Sequence, residues 1–294
     1  VTSWQLAQQG NAYVAFLSDI NAKVDSAKDS KDAPQGKSNS KQLSVLHLLH
    51  LATGDTLQFP NVDSYAWSPN EQFLVYAKKN NDKYSLAQDA GVYLYDVNLK
   101  SSKKISHGKA VYKSFTFDDQ SAQLSFLADK TSEKALQKTF NLYHYTANQD
   151  TARLMVSKST AGIPNKWQPS GDGKIFYSAN GSTLYFGIAP IPKVRDTSLV
   201  DFEHAQVDVW HWKDDFLQTQ QLVNLKRDKA KSYLAKVNPK EPIRVLALAD
   251  QQVNRIVTTD DANNEWVLIS SDFGNRIANQ WTATTLSDIA VVAT

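Results

Sequence analysis

A short unit recurs along this chain: an aromatic residue, a polar turn, then a strand rich in aromatic and β-branched residues. It reads Trp67-Ser68-Pro69-Asn70-Glu71-Gln72 followed by Phe73-Leu74-Val75-Tyr76. It returns as Phe115-Thr116-Phe117-Asp118-Asp119 before Leu124-Ser125-Phe126, and as Trp167-Gln168-Pro169-Ser170-Gly171-Asp172-Gly173 before Ile175-Phe176-Tyr177. A blurred copy opens the chain, with Trp4, the turn Gly10-Asn11 and the strand Tyr13-Val14-Ala15-Phe16. Self-similarity at a step of about 50 residues means stacked copies of one supersecondary unit, none of which buries its apolar faces alone.

Each start is followed by a second strand pair. The first unit continues through Leu43–Leu48, the turn Ala52-Thr53-Gly54-Asp55 and Leu57-Gln58-Phe59. The second continues through Val92–Asp96 to Lys104-Ile105, and the third through Asn141–Tyr145 to Arg153–Val156. The fourth reads Val207–Trp212, a turn at Lys213-Asp214-Asp215, and Gln220-Gln221-Leu222-Val223. Four short strands per unit predict an all-β fold, a β-propeller of four-stranded antiparallel blades. Unit starts near 4, 67, 115, 167 and 237 predict an incomplete arc of five to six blades. In it Trp67 packs between neighbouring blades and Pro69 sets φ for the turn. The last run, Asp288–Thr294, reads as a blade's third strand, so the arc is expected to be closed by strands from elsewhere or to self-associate.

Two segments depart from the repeat. Residues 21–42 hold one Val and no other large apolar residue, and read as a mobile, solvated insertion. Residues 187–206 are stiffened by Pro190 and Pro192 and carry Ile188, Ile191, Val194, Leu199, Val200 and Phe202. They read as an interface-type loop, with Pro190, Pro192, Arg195, Asp196 and Phe202 as the expected contacts with a partner domain.

Charge excludes some functions. The 32 Lys and Arg residues nearly cancel 30 Asp and Glu, few of the bases are Arg, and no basic cluster offers a nucleic-acid surface. Cysteine is absent, which removes disulfides, thiol nucleophiles and Cys-containing zinc sites. No apolar run has the roughly 18 residues of a membrane span. The chain starts without Met and reads as trimmed, which leaves room for any targeting segment to have been removed.

Candidate chemistry is sparse. His47 and His50 sit three apart in a strand pattern, on opposite faces, and do not chelate jointly. His211 alternates with Trp210 and Trp212 and is expected to face away from them. His107, His144 and His204 have no sequence-near carboxylate or second His at ligand spacing, and a triad would have to be assembled across blades. Asp118-Asp119, Asp172-Gly173 and Asp214-Asp215 fall at turns, where Asp bonds the local backbone. No Gly-x-Ser-x-Gly elbow occurs. No catalytic, metal or cofactor residue is therefore assigned.

The Trp-Ser-Pro unit resembles the repeats of TolB-like propellers and of the propeller in prolyl oligopeptidase-family serine peptidases. The block Thr183-Leu184-Tyr185-Phe186-Gly187, Asp201-Phe202, Val207–Asp214 and Leu222–Arg227 is similar to dipeptidyl-peptidase or acylaminoacyl-peptidase-like proteins of Bacteroidetes-type bacteria, as are Ser271-Asp272 and Asn279-Gln280-Trp281. The resemblance implies a non-catalytic propeller that gates peptide substrate for a C-terminal α/β-hydrolase domain, absent here, in a periplasmic or secreted protein. The family's paired propeller glutamates have no counterpart, because Glu71, Glu133, Glu203, Glu241 and Glu265 are isolated. The alternatives are a stand-alone TolB-like protein-binding propeller and a propeller glycosidase or lyase.

Overall fold

The structure is a computed structural model that describes residues 3–6, 13–21, 42–79, 89–132, 134–194, 196–198, 200, 210–240, 242–253 and 255–293. Its strands form five antiparallel sheets, three of them plain four-stranded meanders. This is the predicted all-β propeller pattern. The chain divides into two compact units, 1–110 and 111–294.

In the first unit, β1 (Ser3–Leu6), β2 (Tyr13–Asn21), β3 (Gln42–His50) and β4 (Thr56–Pro60) make the first sheet, and β5 (Val62–Trp67), β6 (Phe73–Lys78), β7 (Gly91–Asp96) and β8 (Ser101–His107) the second. Between them lies a core of Leu17, Leu46 and Leu48 against Val62, Leu74, Tyr76 and Tyr95, with half-buried Trp67 packed on it. Tyr65 Oη donates to the carbonyl of Ala15 at 3.0 Å and ties the two sheets together. Asn21 pairs with Gln42, and the expected mobile insertion falls, over 22–41, outside the described residues.

In the second unit, β9 (Val111–Phe117), β10 (Gln123–Asp129), β11 (Phe140–Thr146) and β12 (Arg153–Val156) make the third sheet. The fourth contains β13 (Trp167–Pro169), β14 (Phe176–Tyr177), β15 (Leu184–Pro190), β16 (Tyr233–Val237) and β17 (Leu246–Ala247), with helix α1 (Gln218–Lys229) between β15 and β16. The fifth has β18 (Arg255–Val257), β19 (Trp266–Ser271) and β20 (Asp288–Ala293), with α2 (Arg276–Asn279) before β20. Strand β10 is buried at every position. Leu127, Leu142 and Val156 of the third sheet meet Leu184, Phe186, Ile188, Ala235 and Val237 of the fourth in one core.

The repeating element is the turn after the first strand, and its hydrogen bonds show where each copy lies. Glu71 N donates to Ser68 O, Ser121 N to Asp118 O, Gly181 N to Ser178 O and Ala262 N to Thr259 O, at 2.8–3.0 Å. The donor residue is left-handed in all four, with φ of 58°, 58°, 66° and 51°. A side-chain oxygen closes each: Ser68 and Ser178 hydroxyls donate to Asn70 and Asn180, Thr259 donates to Asp261, and Asp118 accepts from the Ala122 and Gln123 amides.

These turns correct the sequence-based alignment of the fourth unit. The counterpart of Trp67-Ser68-Pro69 is Tyr177-Ser178-Ala179, ten residues beyond Trp167-Gln168-Pro169. The Trp167 copy lies in β13 and pairs with β15 ahead of a break in the first strand. Gly171 and Gly173 make that break, and Gly173 approaches Gly187 so closely that a Cβ would lie 2.6 Å from the Gly187 Cα. The expected strand Gln220–Val223 is also corrected, since it lies inside α1. That stretch has no Gly or Pro, is dominated by straight-chain helix formers, and places Lys226, Arg227 and Lys229 in the last turn, where they complement the helix dipole. The fourth sheet's third and fourth strands are β16 and β17, so the fifth sheet starts at Arg255 and not near 237.

Candidate functional site

Among the described residues, one grouping of catalytic-type side chains is assembled across sheets. Ser125 and His144 face each other on β10 and β11. The Ser125 hydroxyl lies 3.3 Å from His144 Nδ1 and 2.6 Å from Tyr177 Oη, which is 3.1 Å from the same His nitrogen. Ser125 is 0% and His144 2% exposed. Burial pulls the imidazole pKa down to about 4, reinforced by the Arg153 charge and opposed by Asp118, while burial raises the Tyr177 phenol. The imidazole is thus neutral at pH 7. A nucleophile must meet its substrate, and these groups are sealed between the third and fourth sheets. The cluster binds sheets together; Gln123 Nε2 to Gly181 O (2.9 Å) and Ala179 N to Asp261 O (2.8 Å) continue it from turn to turn.

The remaining histidines are dispersed. His47 Nε2 meets Ser18 at 2.8 Å and its ring stacks on Phe16, whereas His50 meets Thr53 and the edge of Tyr13. His107 ends β8, and His204 lies outside the described residues. His211 is not in a strand: it stacks on Trp212 at 6.1 Å, contrary to the expected alternation. No group of three metal-ligating side chains occurs among the described residues.

Between the end of β15 and the start of β16 the chain makes an excursion over residues 191–232, of which 191–194, 196–198, 200 and 210–232 are described. Pro190 closes β15 opposite Trp167. Pro192 is exposed and its carbonyl accepts from Gln137 Nε2 at 3.2 Å. Asp196 is exposed, and the Ser198 hydroxyl and amide hold its carboxyl below the usual range. Arg195 and Phe202, the other expected contacts, lie outside the described residues.

Farther along, the excursion displays apolar surface. Trp210 is 63%, Trp212 81% and Val223 84% exposed, with Phe216, Leu217, Leu222 and Leu225 also exposed. Helix α1 buries no residue at all. Its base is nonetheless anchored. Arg276 donates through Nε to Asp272 at 2.7 Å and through Nη1 to Asp215 at 2.9 Å, and its guanidinium lies over Phe216 and Phe273. Gln280 Nε2 adds a 2.6 Å bond to the Asp215 carbonyl. Asp215, read from sequence as turn chemistry, is therefore half of a clamp; a lone Asp-Asp gave no sign of a partner 61 residues away. Arg276→Met should release the excursion while the blades stay folded. Protease cleavage within 210–231 is then expected to accelerate several-fold with little change in melting temperature, which limited proteolysis and thermal denaturation together check.

No protein-family model matches the chain, and no curated protein does. Solved structures similar to it include Porphyromonas gingivalis dipeptidyl peptidase 4, with a TM-score of 0.49 at 10% identity over 92% of this chain and 36% of that one. The Pyrococcus horikoshii acylaminoacyl peptidase is similar with a TM-score of 0.46 at 11% identity, over 95% of this chain and 36% of that one. TolB from Acinetobacter baumannii is similar with a TM-score of 0.37 at 11% identity, over 85% and 46%. The chain spans less than half the length of each of these proteins, and the likeness is one of fold alone.

Proposed function

We propose that this chain is the non-catalytic, substrate-gating propeller domain of a serine peptidase acting on peptides, in a periplasmic or secreted setting. In this reading the resemblance supplies an α/β-hydrolase domain of the same protein as the partner, and the contact expected at 187–206 extends along the excursion to residue 232. The observation that supports it is the apolar excursion itself. A helix that buries nothing, led by two exposed tryptophans and clamped at its base, is apolar surface held out for a protein partner.

The test is direct. The coding sequence beyond Thr294 is expected to contain a Gly-x-Ser-x-Gly elbow followed by Asp and His. That hydrolase domain, supplied in trans, should bind the 294-residue chain, and Trp212→Asp with Val223→Asp should weaken binding at least tenfold, or about 1.4 kcal/mol. Both residues are exposed, so melting temperature should hold. A coding sequence that ends at Thr294 would favour the stand-alone protein-binding propeller instead. Peptidase activity from the isolated chain would overturn the non-catalytic assignment.

A further inference from the structure

Residues of the fourth sheet (β14, β15 and β16) and the start of the fifth (β18) border an open pocket of about 320 Å³. Three cationic side chains line it: Lys174, just before β14; Lys231, between α1 and β16; and Arg255, which opens β18. No carboxylate lines it among the described residues, and none of the three cations makes an ion pair there. Three acids near them in sequence have partners outside the lining: Asp172 faces Lys113 at 3.9 Å, Asp228 faces Arg227 at 3.8 Å, and Asp250 accepts from the Gln252 amide at 2.8 Å. The charges of Asp250 and Asp228 still reach the pocket's Tyr233. Ser232 and Thr258 add hydroxyls to the lining, and the bare backbone of Gly187 forms part of its wall.

Three like charges around one cavity repel one another, and water screens that repulsion only in part. A bound anion relieves it and takes charge-assisted hydrogen bonds from ammonium, guanidinium and hydroxyl donors. The volume lies at the lower end of the range for small-ligand sites and suits a carboxylate with one or two residues attached. We infer that this pocket binds a carboxylate carried by a peptide. The cationic pocket supplies the anion chemistry; the choice of a peptide as carrier rests on the proposed peptide-gating role. The carboxylate has two sources, a peptide's free C-terminus or an Asp or Glu side chain.

Calorimetric titration of the whole chain at low ionic strength tests this with three probes: tetra-alanine free acid, tetra-alanine amide, and acetyl-Ala-Glu-Ala-amide. The free acid, the Glu peptide or both are expected to bind, with affinity falling as salt rises. The neutral amide should bind at least tenfold more weakly. Binding by the free acid alone assigns a C-terminal carboxylate; equal binding by the Glu peptide assigns a carboxylate from either source. Lys174→Gln with Arg255→Gln should weaken the carboxylate probe at least tenfold without lowering the melting temperature, since both residues are exposed. The inference is overturned if no probe binds, if amide and acid bind alike, if the double variant binds as the parent does, or if inorganic phosphate binds more tightly than every peptide. None of these readouts involves a hydrolase domain, so a coding sequence that ends at Thr294 would defeat the peptidase reading and leave the pocket's result standing.

Discussion

Urea denaturation is expected to show the chain losing about 3 kcal/mol of stability between pH 6.5 and pH 4 through His144 alone. The folded imidazole titrates at about 4 because it is buried against Ser125 and Tyr177, whereas in the unfolded chain it titrates near its ordinary 6.5. Across that window the unfolded state holds the proton and the folded state does not, so stability rises with pH. The contribution is complete above pH 6.5, falls as pH drops toward 4, and changes no further below. Carboxylates add their own acid dependence, so the diagnostic is a difference. His144→Gln should be less stable than the parent at pH 7.5, and the gap should narrow as pH falls to 4.5. A gap that stays constant with pH would mean that His144 is not held neutral by its surroundings.

Gly162→Ala is expected to cost about 3 kcal/mol or more. The φ of Gly162 is +92°, a conformation that side chains rarely adopt, and a Cβ there would lie 1.8 Å from the Val245 carbonyl oxygen. The obstacle is backbone, which cannot swing away. Val245 is 3% exposed, belongs to the core between the third and fourth sheets, and donates its amide to Ala161 O at 2.9 Å. An added methyl therefore strains the turn and pushes the loop carrying Val245 off the core, two costs of about 1–3 kcal/mol each. Gly108→Ala is the control. Its φ is +96° with nothing within 4 Å of the Cβ position, so it should show only the conformational cost. Equal losses for the two variants in urea would show that close approach to Val245 contributes nothing.

What the sequence by itself determined is the part of the structure carried by near neighbours. Runs of aromatic and β-branched residues in Phe73–Tyr76, Leu124–Phe126 and Val92–Asp96 mark strands because such side chains fit a pleated, packed surface. The turns at Ser68 and Asp118 are equally local, since an oxygen two to five residues away closes each one. Repetition of those two signals was enough for the propeller pattern. It failed at Trp167, where an aromatic-Pro echo resembled the turn that begins ten residues later, and at Gln220–Val223, where a short polar-apolar run did not distinguish strand from helix.

Tertiary structure alone decided which distant groups meet. Ser125 faces His144 only through the register of β10 on β11, and Tyr177 reaches them only because the fourth sheet stacks on the third. Asp215 finds Arg276 across 61 residues, which turns an ordinary loop acid into the anchor of an exposed helix. Lys174, Lys231 and Arg255 are ordinary where they stand in the chain and come to line one pocket when the edges of the fourth and fifth sheets lie side by side. Periodicity records which face a residue occupies. Which residue lies across from it is set by register and by the stacking of sheets, and both follow from packing summed over whole cores.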